Sequence, residues 1–408
     1  MQFHHVTLDN GLEIIAETNP DAQSAALGFF VQTGARDEDP VVNGVSHFLE
    51  HMAFKGDDRY SAEDVNRIFD ELGANYNAST SEESTIYYAA ILPEYVDQTM
   101  SLLTAMMRPS LREEDFEVEK KVILEEIGMY DDMPTFSVYE QAMMRHFQGH
   151  PLGQIVLGTT DTITRLTAAQ MRAYHEARYG AGNLILAATG NVDFEHLLEL
   201  AKRECGHWQR GVPGRARVEA TPCLANVSQV REEMHQQHVM MLGNAPSAQD
   251  ERRYAAEILA TIIGDDGSGR LYWELVESGL AESCDLNYTD FDGCGTWMTY
   301  LCCQPEETDR NLELIHSILH EFNRTGPTQE EFDQARNKVA SRVVLSSERP
   351  MGRLSSLGGN WLAQRQYRSV QDDLQRLRNM TLSDLRDLLN EYPLEHQTVA
   401  QLGPHKAT

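Results

Sequence analysis

The sequence predicts an α+β fold in two domains, on three observations. Strand-like and helix-like segments fall in separate blocks, which favours α+β over a parallel α/β sheet. A stretch rich in glycine, proline and arginine interrupts the pattern near the middle. The 408 residues also exceed what a single hydrophobic core usually organises. Hydrophobic residues make up 41% and charged residues 24%, ordinary values for a folded chain.

The elements follow in order. Residues 3–8 and 12–17 read as a hairpin around the Asp9-Asn10-Gly11 turn, and 25–33 as a third strand. After a loop over 34–43, helices are expected at about 44–54 and at 62–72. Strands near 74–80 and 85–92 precede helices over 94–107, 113–131, 136–147 and 168–179. A strand at 184–190 and a helix at 194–204 close the first half. Gly206, Gly211, Pro213, Gly214 and Pro222 mark the break. The expected domains are 1–210 and 225–408, with a linker at 211–224. The order restarts with a strand near 238–242, a helix over 251–263, a glycine-rich turn and another helix. Residue identity between the halves is too low for the sequence to establish a duplication.

Composition narrows the function. Lys+Arg number 34 against 63 Asp+Glu, so the formal charge is 34 − 63 = −29. Such a chain repels phosphate backbones, which argues against nucleic acid and for a basic or extended peptide as partner. No basic n-region opens the chain, and apolar runs such as 25–31 fall far short of a membrane span. The six cysteines form no C-x-x-C pair and read as free thiols in a reducing compartment. The expectation is a cytoplasmic protein without a membrane partner.

The sharpest feature is His47-Phe48-Leu49-Glu50-His51. On a helix, positions i, i+3 and i+4 share a face, so His47, Glu50 and His51 converge. Two imidazoles one turn apart can hold a zinc ion, and the carboxylate between them can take a proton from water. Alone the pattern is only moderately specific, arising by chance in roughly one such chain in twenty. A catalytic zinc needs a third protein ligand. On the helix at 113–131, with about 100° per residue, Phe116, Ile123, Ile127 and Tyr130 share one side. Glu119 and Glu126 lie in the arc beside that stripe, whereas Glu117, Lys121 and Glu125 point away. A carboxylate on an apolar face is costly unless paired or metal-bound, so Glu126 is the better candidate ligand than Glu125. Two partly exposed glutamates flanking a stripe is the alternative that this helix alone leaves open.

The H-x-x-E-H order is the inverzincin arrangement. Around it the chain resembles the pitrilysin, insulin-degrading enzyme and mitochondrial processing peptidase family. The resemblance runs through Gly34-Ala35-Arg36-Asp37-Glu38, the stretch from Asn43 to Gly56, Asn77-Ala78-Ser79-Thr80 with Thr85, Glu119 to Glu126, and His150-Pro151-Leu152-Gly153 through Gly158-Thr159. It is strong over the first half and weak over the second, and the length is that of the short two-domain members. The resemblance implies one zinc ion per chain on His47, His51 and Glu126. It implies Glu50 as general base and Glu119 as a second catalytic carboxylate near the metal. Asn77 and Ala78 then belong to an edge strand to which a substrate peptide is added. The implied fold is two similar domains, each an antiparallel-rich sheet packed with helices, together forming half of a clamshell. The implied activity is a zinc metallopeptidase, a hydrolase cutting peptides or unfolded segments in an enclosed chamber. A non-catalytic structural or interaction subunit on the same scaffold is the alternative, against which the retained His47, Glu50, His51 and Glu126 weigh.

The second half departs from the family. Its members carry an arginine and, shortly after, a tyrosine that contact substrate from the opposing subunit. Here Val276 and Glu282 stand at those positions. The expectation is therefore a dimer, and specifically a heterodimer, in which a homologous subunit supplies the Arg/Tyr pair. A homodimer of this chain remains possible but would lack that pair.

Overall fold

A computed structural model describes residues 1–215, 218, 220–395 and 397–404. It divides into two compact α+β units, neither continuous in sequence. The first comprises Met1–Gly128, Gln154–Ala216 and Leu345–Arg368; the second comprises Met129–Gly153, Arg217–Val344 and Ser369–Thr408.

The first unit is built on β1 (Gln2–Thr7), β2 (Glu13–Thr18), β3 (Ala25–Val31), β4 (Asn75–Thr80), β5 (Thr85–Ile91) and β6 (Leu184–Gly190). These form one sheet in the order β1-β2-β6-β3-β5-β4, with β2 and β6 parallel and the other neighbours antiparallel. β3 and β6 are buried along their whole length, so both read as unbroken apolar runs. Their side chains alternate between two cores. Leu27, Phe29, Leu186 and Ala188 face the helices of the first half, including the motif helix Val45–Ala53 and the long helix Glu113–Asp131. Ala26, Phe30, Ile185 and Ala187 face Leu354, Leu357 and Trp361 of the helix Pro350–Gln364.

That late helix explains why the unit is discontinuous. Its apolar stripe covers the sheet's second face, and Arg353 drives a buried bidentate pair with Glu17 at 2.8 and 2.6 Å. Residues 206–215, which include the start of the linker expected at 211–224, run along the first unit. The Ala181 and Gly182 amides donate to the Gln209 and Arg210 carbonyls, and Arg215 pairs with Asp37 and Glu83 at 2.9 and 3.0 Å.

The second unit contains β7 (Asn226–Val230), β8 (Gln237–Ala245), β9 (Ser283–Phe291), β10 (Cys294–Cys303) and β11 (Gln397–Gly403). Their order is β7-β11-β8-β10-β9, with β7 and β11 parallel and the rest antiparallel. From β2 onward the first sheet has the same order and directions. The duplication that residue identity concealed is therefore explicit in topology. The Pro134–His146 helix packs Val138, Ala142 and Met143 on one face of this sheet, against Met240, Leu242, Met298 and Leu402. The helix expected after the glycine-rich turn is a single π-helical segment, Tyr272–Val276. The one expected over 94–107 starts later, because Pro93 opens a 3₁₀ turn before the helix Val96–Met106.

Gly358 tests the packing of the late helix. A Cβ there would lie 2.2 Å from Cζ of Phe30, a fully buried ring with nowhere to retreat. Gly359 has nothing within 4 Å of its Cβ position. Gly358→Ala should cost about 1–3 kcal/mol by overpacking, several degrees in Tm, whereas Gly359→Ala should leave Tm unchanged or raised. Equal melting temperatures for the two variants would rule out this packing.

Candidate metal centre

The motif helix is specified by its apolar face. Val45, Phe48, Leu49 and Met52, spaced i, i+3, i+4 and i+7, are all fully buried in the first unit's core. That leaves His47, Glu50 and His51 on the side facing the long helix. Phe48 stacks on Phe116 of that helix with ring centroids 4.7 Å apart. The long helix then presents Glu126 to both imidazoles: its Oε2 lies 3.7 Å from His47 Nε2 and 3.5 Å from His51 Nε2. Among the described residues, His47, His51 and Glu126 are the one group of three such donors close enough to share a metal ion, with ligand atoms within 4.8 Å of one another.

The set fits zinc. With bonds of about 2.0–2.2 Å, the edge of a tetrahedron around zinc is roughly 3.3–3.6 Å, close to both Glu126 distances. Glu126 Oε2 is buried and finds no hydrogen-bond partner among the described residues. An unpaired buried carboxylate oxygen is expensive unless a cation meets it. Glu125, one residue earlier, is exposed.

The neighbours tune these donors. Burial, helped by the nearby His51, pushes the His47 pKa down to about 4, so His47 is the neutral imidazole that a metal requires. His51 Nδ1 lies 2.9 Å from Oε1 of the buried Glu119, and Lys55 Nζ lies 2.5 Å from its other oxygen. The Glu119 carboxylate thus holds the proton on Nδ1 and aims Nε2 at Glu126. The His51 hydrogen bond and the Lys55 contact draw the Glu119 pKa down to about 2 against the effect of burial. Burial opposes charge on His51, but the Glu119 hydrogen bond and the Glu126 and Glu50 charges outweigh it and raise its pKa. Glu126 and Glu50 are both raised, chiefly by burial. Glu50 Oε2 accepts a 2.6 Å hydrogen bond from the Thr80 hydroxyl.

Thr80 ends β4, the outer strand of the sheet, which among the described residues pairs only with β5. Asn77 and Ala78 lie on that same strand. Asn77 is exposed and its Oδ1 accepts the Ala78 amide at 2.9 Å, while the Ala78 side chain is buried. The structure therefore gathers His47, Glu50, His51, Glu119 and Glu126 in one place and sets Asn77 and Ala78 on the adjoining edge. Sequence reasoning missed the roles of Thr80 and Lys55. For Thr80 a signal existed, since period-2 alternation puts it on the same inward face as Ala78.

In the second unit, Val276 is half-buried against the core, and Glu282 accepts from Gln236 just before β9. Arg270 is paired with Glu331, which accepts from its Nε and Nη2 at 2.7 and 2.9 Å. Among the described residues no helix is long and apolar enough to cross a membrane.

Residues 13–160 match the profile of insulinase, peptidase family M16, and residues 165–339 that of the peptidase M16 inactive domain. An uncharacterized zinc protease of Mycobacterium tuberculosis is 32% identical over 98% of this chain and 92% of its own length. One of Bacillus subtilis is 28% identical over 98% and 97%. The fold is shared with a protease from Helicobacter pylori at a TM-score of 0.90, with 21% identity over 99% of both chains. It is shared also with a peptidase M16 inactive domain structure from Pseudomonas fluorescens at 0.91, with 19% identity over 100% and 99%.

If Glu126 completes the ligand set, Glu126→Gln should weaken zinc binding far more than Glu125→Gln. Elemental analysis after dialysis measures this, and equal zinc content in the two variants would reject the assignment.

Proposed function

The chain belongs to peptidase family M16, the insulinase family, and on that premise we propose that it is a zinc metalloendopeptidase centred on His47, His51 and Glu126. The observation that carries this reading is the convergence of those three donors around a buried carboxylate oxygen that lacks a hydrogen-bond donor. Zinc, when bound, supplies Lewis-acid polarisation of a carbonyl and a lowered pKa for water. Glu50 takes the proton of the attacking water and returns it to the leaving amine. Its raised pKa suits that exchange, and the Thr80 hydroxyl holds the carboxylate in place. Glu119 acts by orienting His51 and keeping its Nδ1 protonated. An extended peptide adds to the free edge of β4 beside Asn77 and Ala78, which leads its backbone toward Glu50. Substrates are peptides or unfolded segments small enough for an enclosed chamber.

The proposal extends to a partner. Val276 and Glu282 offer neither guanidinium nor phenol, and Arg270 is committed to Glu331. A homologous subunit then supplies the arginine and tyrosine, one to pair with peptide carbonyls and the other to stabilise developing negative charge. The active form is a heterodimer with this chain as its zinc-bearing half.

Two experiments test these statements separately. Glu50→Gln keeps shape and removes the proton acceptor, so zinc should stay bound while turnover of a quenched peptide drops by at least ~100-fold. Loss of zinc together with activity would instead make Glu50 part of the binding set. For the partner, this chain purified alone at full zinc occupancy should be nearly inactive on a peptide panel, because losing one oxyanion donor typically costs ~10²–10³ in turnover. Robust turnover by that preparation, undiminished by changing Arg270 or Tyr272, would show that no partner is required.

A further inference from the structure

Glu38 lies nine residues before His47 (47 − 38), in irregular chain, and is 5% exposed. Its carboxylate sits on the first turn of the motif helix. Oε2 accepts the Gly44 amide and the Asn43 side-chain amide, both at 2.7 Å, and Oε1 accepts the Ser46 amide at 2.7 Å. These bonds satisfy otherwise orphaned N–H groups at the positive end of a helix; burial raises the Glu38 pKa to about 7, and the same bonds oppose that rise. Ser46, the residue before His47, is held a second time through its hydroxyl, 2.7 Å from the Tyr174 hydroxyl.

The opposite side of the same turn is clamped by backbone. Gly44 has φ +94, and a Cβ there would lie 2.5 Å from the Leu157 carbonyl oxygen. Gly158, at φ +75, would meet the Asn43 carbonyl oxygen at 2.5 Å. Two glycines thus let two chain segments touch, and the Asn43 amide also donates to the Ile155 carbonyl at 2.9 Å. Between this clamp and the Glu38 carboxylate, the start of the helix has little freedom.

We propose that Glu38 is a positioning residue for the metal centre, its buried carboxylate fixing the first turn of the motif helix and thereby the separation of His47 and His51 from Glu126. This rests on the zinc reading of that centre. The helix has nine residues, too few to define its own ends in water, and His47 stands in its first turn. Glu126 belongs to a different helix, so a slide or tilt at the cap changes the 3.7 and 3.5 Å distances directly. Neither Glu38 oxygen touches a proposed ligand; it acts through the backbone.

The test uses the full chain, with zinc affinity from chelator competition and the visible spectrum of the cobalt-loaded protein as readouts. Glu38→Gln keeps the length but turns one oxygen into a donor that faces a backbone N–H. It should weaken zinc binding by about 10-fold or more and alter the cobalt spectrum. Glu38→Ala should do more, and if it does not accumulate as folded protein, Glu38→Gln decides. Leu319→Ala, in the core of the second unit, is the stability control: it should lower Tm while leaving both readouts at wild-type values. Lowered Tm in the Glu38 variants with wild-type zinc affinity and an unchanged cobalt spectrum would overturn this inference alone. Failure of the wild-type chain to bind zinc would overturn the centre itself and this inference with it.

Discussion

A nine-residue helix does not hold its shape unaided, so the geometry of the centre comes from what that helix packs on. The contact on which most depends is the stack of Phe48 on Phe116, with rings 13° from parallel. It ties the motif helix to the long helix through the core, while the His51–Glu119 hydrogen bond ties them on the polar side. With both ties made, Glu126 comes between two imidazoles. Val45, Leu49 and Met52 then anchor the pair on the sheet, and Thr80 at the sheet's edge reaches Glu50. Core packing and metal-site geometry are here one problem, since the same four-residue spacing that buries Phe48 and Met52 turns His47 and His51 toward Glu126.

That coupling explains why so much of the centre could be read from the sequence. Helical periodicity is local, and with the apolar stripe of Phe116 and Ile123 facing the core it sets Glu126, and not the exposed Glu125, beside that stripe. β3 and β6 are legible as unbroken apolar runs bounded by turns, and β1 and β2 as the arms of a hairpin about Asp9-Asn10-Gly11. What stayed hidden depends on approach between distant segments. Glu38 stands in a loop without periodicity, and its carboxylate acquires a purpose only because Gly44 meets Gly158. The helix Pro350–Gln364 has a readable stripe, but nothing local says that it covers a sheet whose strands begin at Gln2. The second half was read only as far as its first turn and helix, and the strand order that relates it to the first half has no residue-level signature.

The two sheets therefore separate what packing preserves from what chemistry requires. Strand order and direction recur in both, as expected when a fold is retained for its core. In the second unit, the helix Arg253–Gly264 follows β8 as the motif helix follows β3, and it carries Ala256, Ile258, Leu259 and Ile263 in the core with no histidine. Against it lies a cavity of about 430 Å³ bordered by Glu257, Asp265, Asp285 and Arg342. Asp265 is taken by Lys338 and Arg342 at 2.7 and 3.1 Å. One unit thus holds two imidazoles beside a carboxylate at this helix, and the other an aspartate paired with a lysine and an arginine.

Charge balance gives an independent reason for a cation in the first unit. Three carboxylates, Glu50, Glu119 and Glu126, surround two imidazoles. Glu119 is compensated, because His51 and Lys55 stabilise its ionised form and depress its pKa. Glu50 and Glu126 are compensated only in part: His51 lowers both, and Thr80 lowers Glu50, but burial and a neighbouring carboxylate raise each and prevail. His47 cannot relieve them by taking a proton, since burial and His51 hold its pKa near 4. His51 is already engaged by Glu119. Protons on Glu50 or Glu126 would relieve the repulsion but would cost the centre its base or its third donor. A divalent cation relieves both without that cost, and displaces protons from the same groups when it binds. The sequence places these carboxylates beside β4, the outer strand of the first sheet among the described residues.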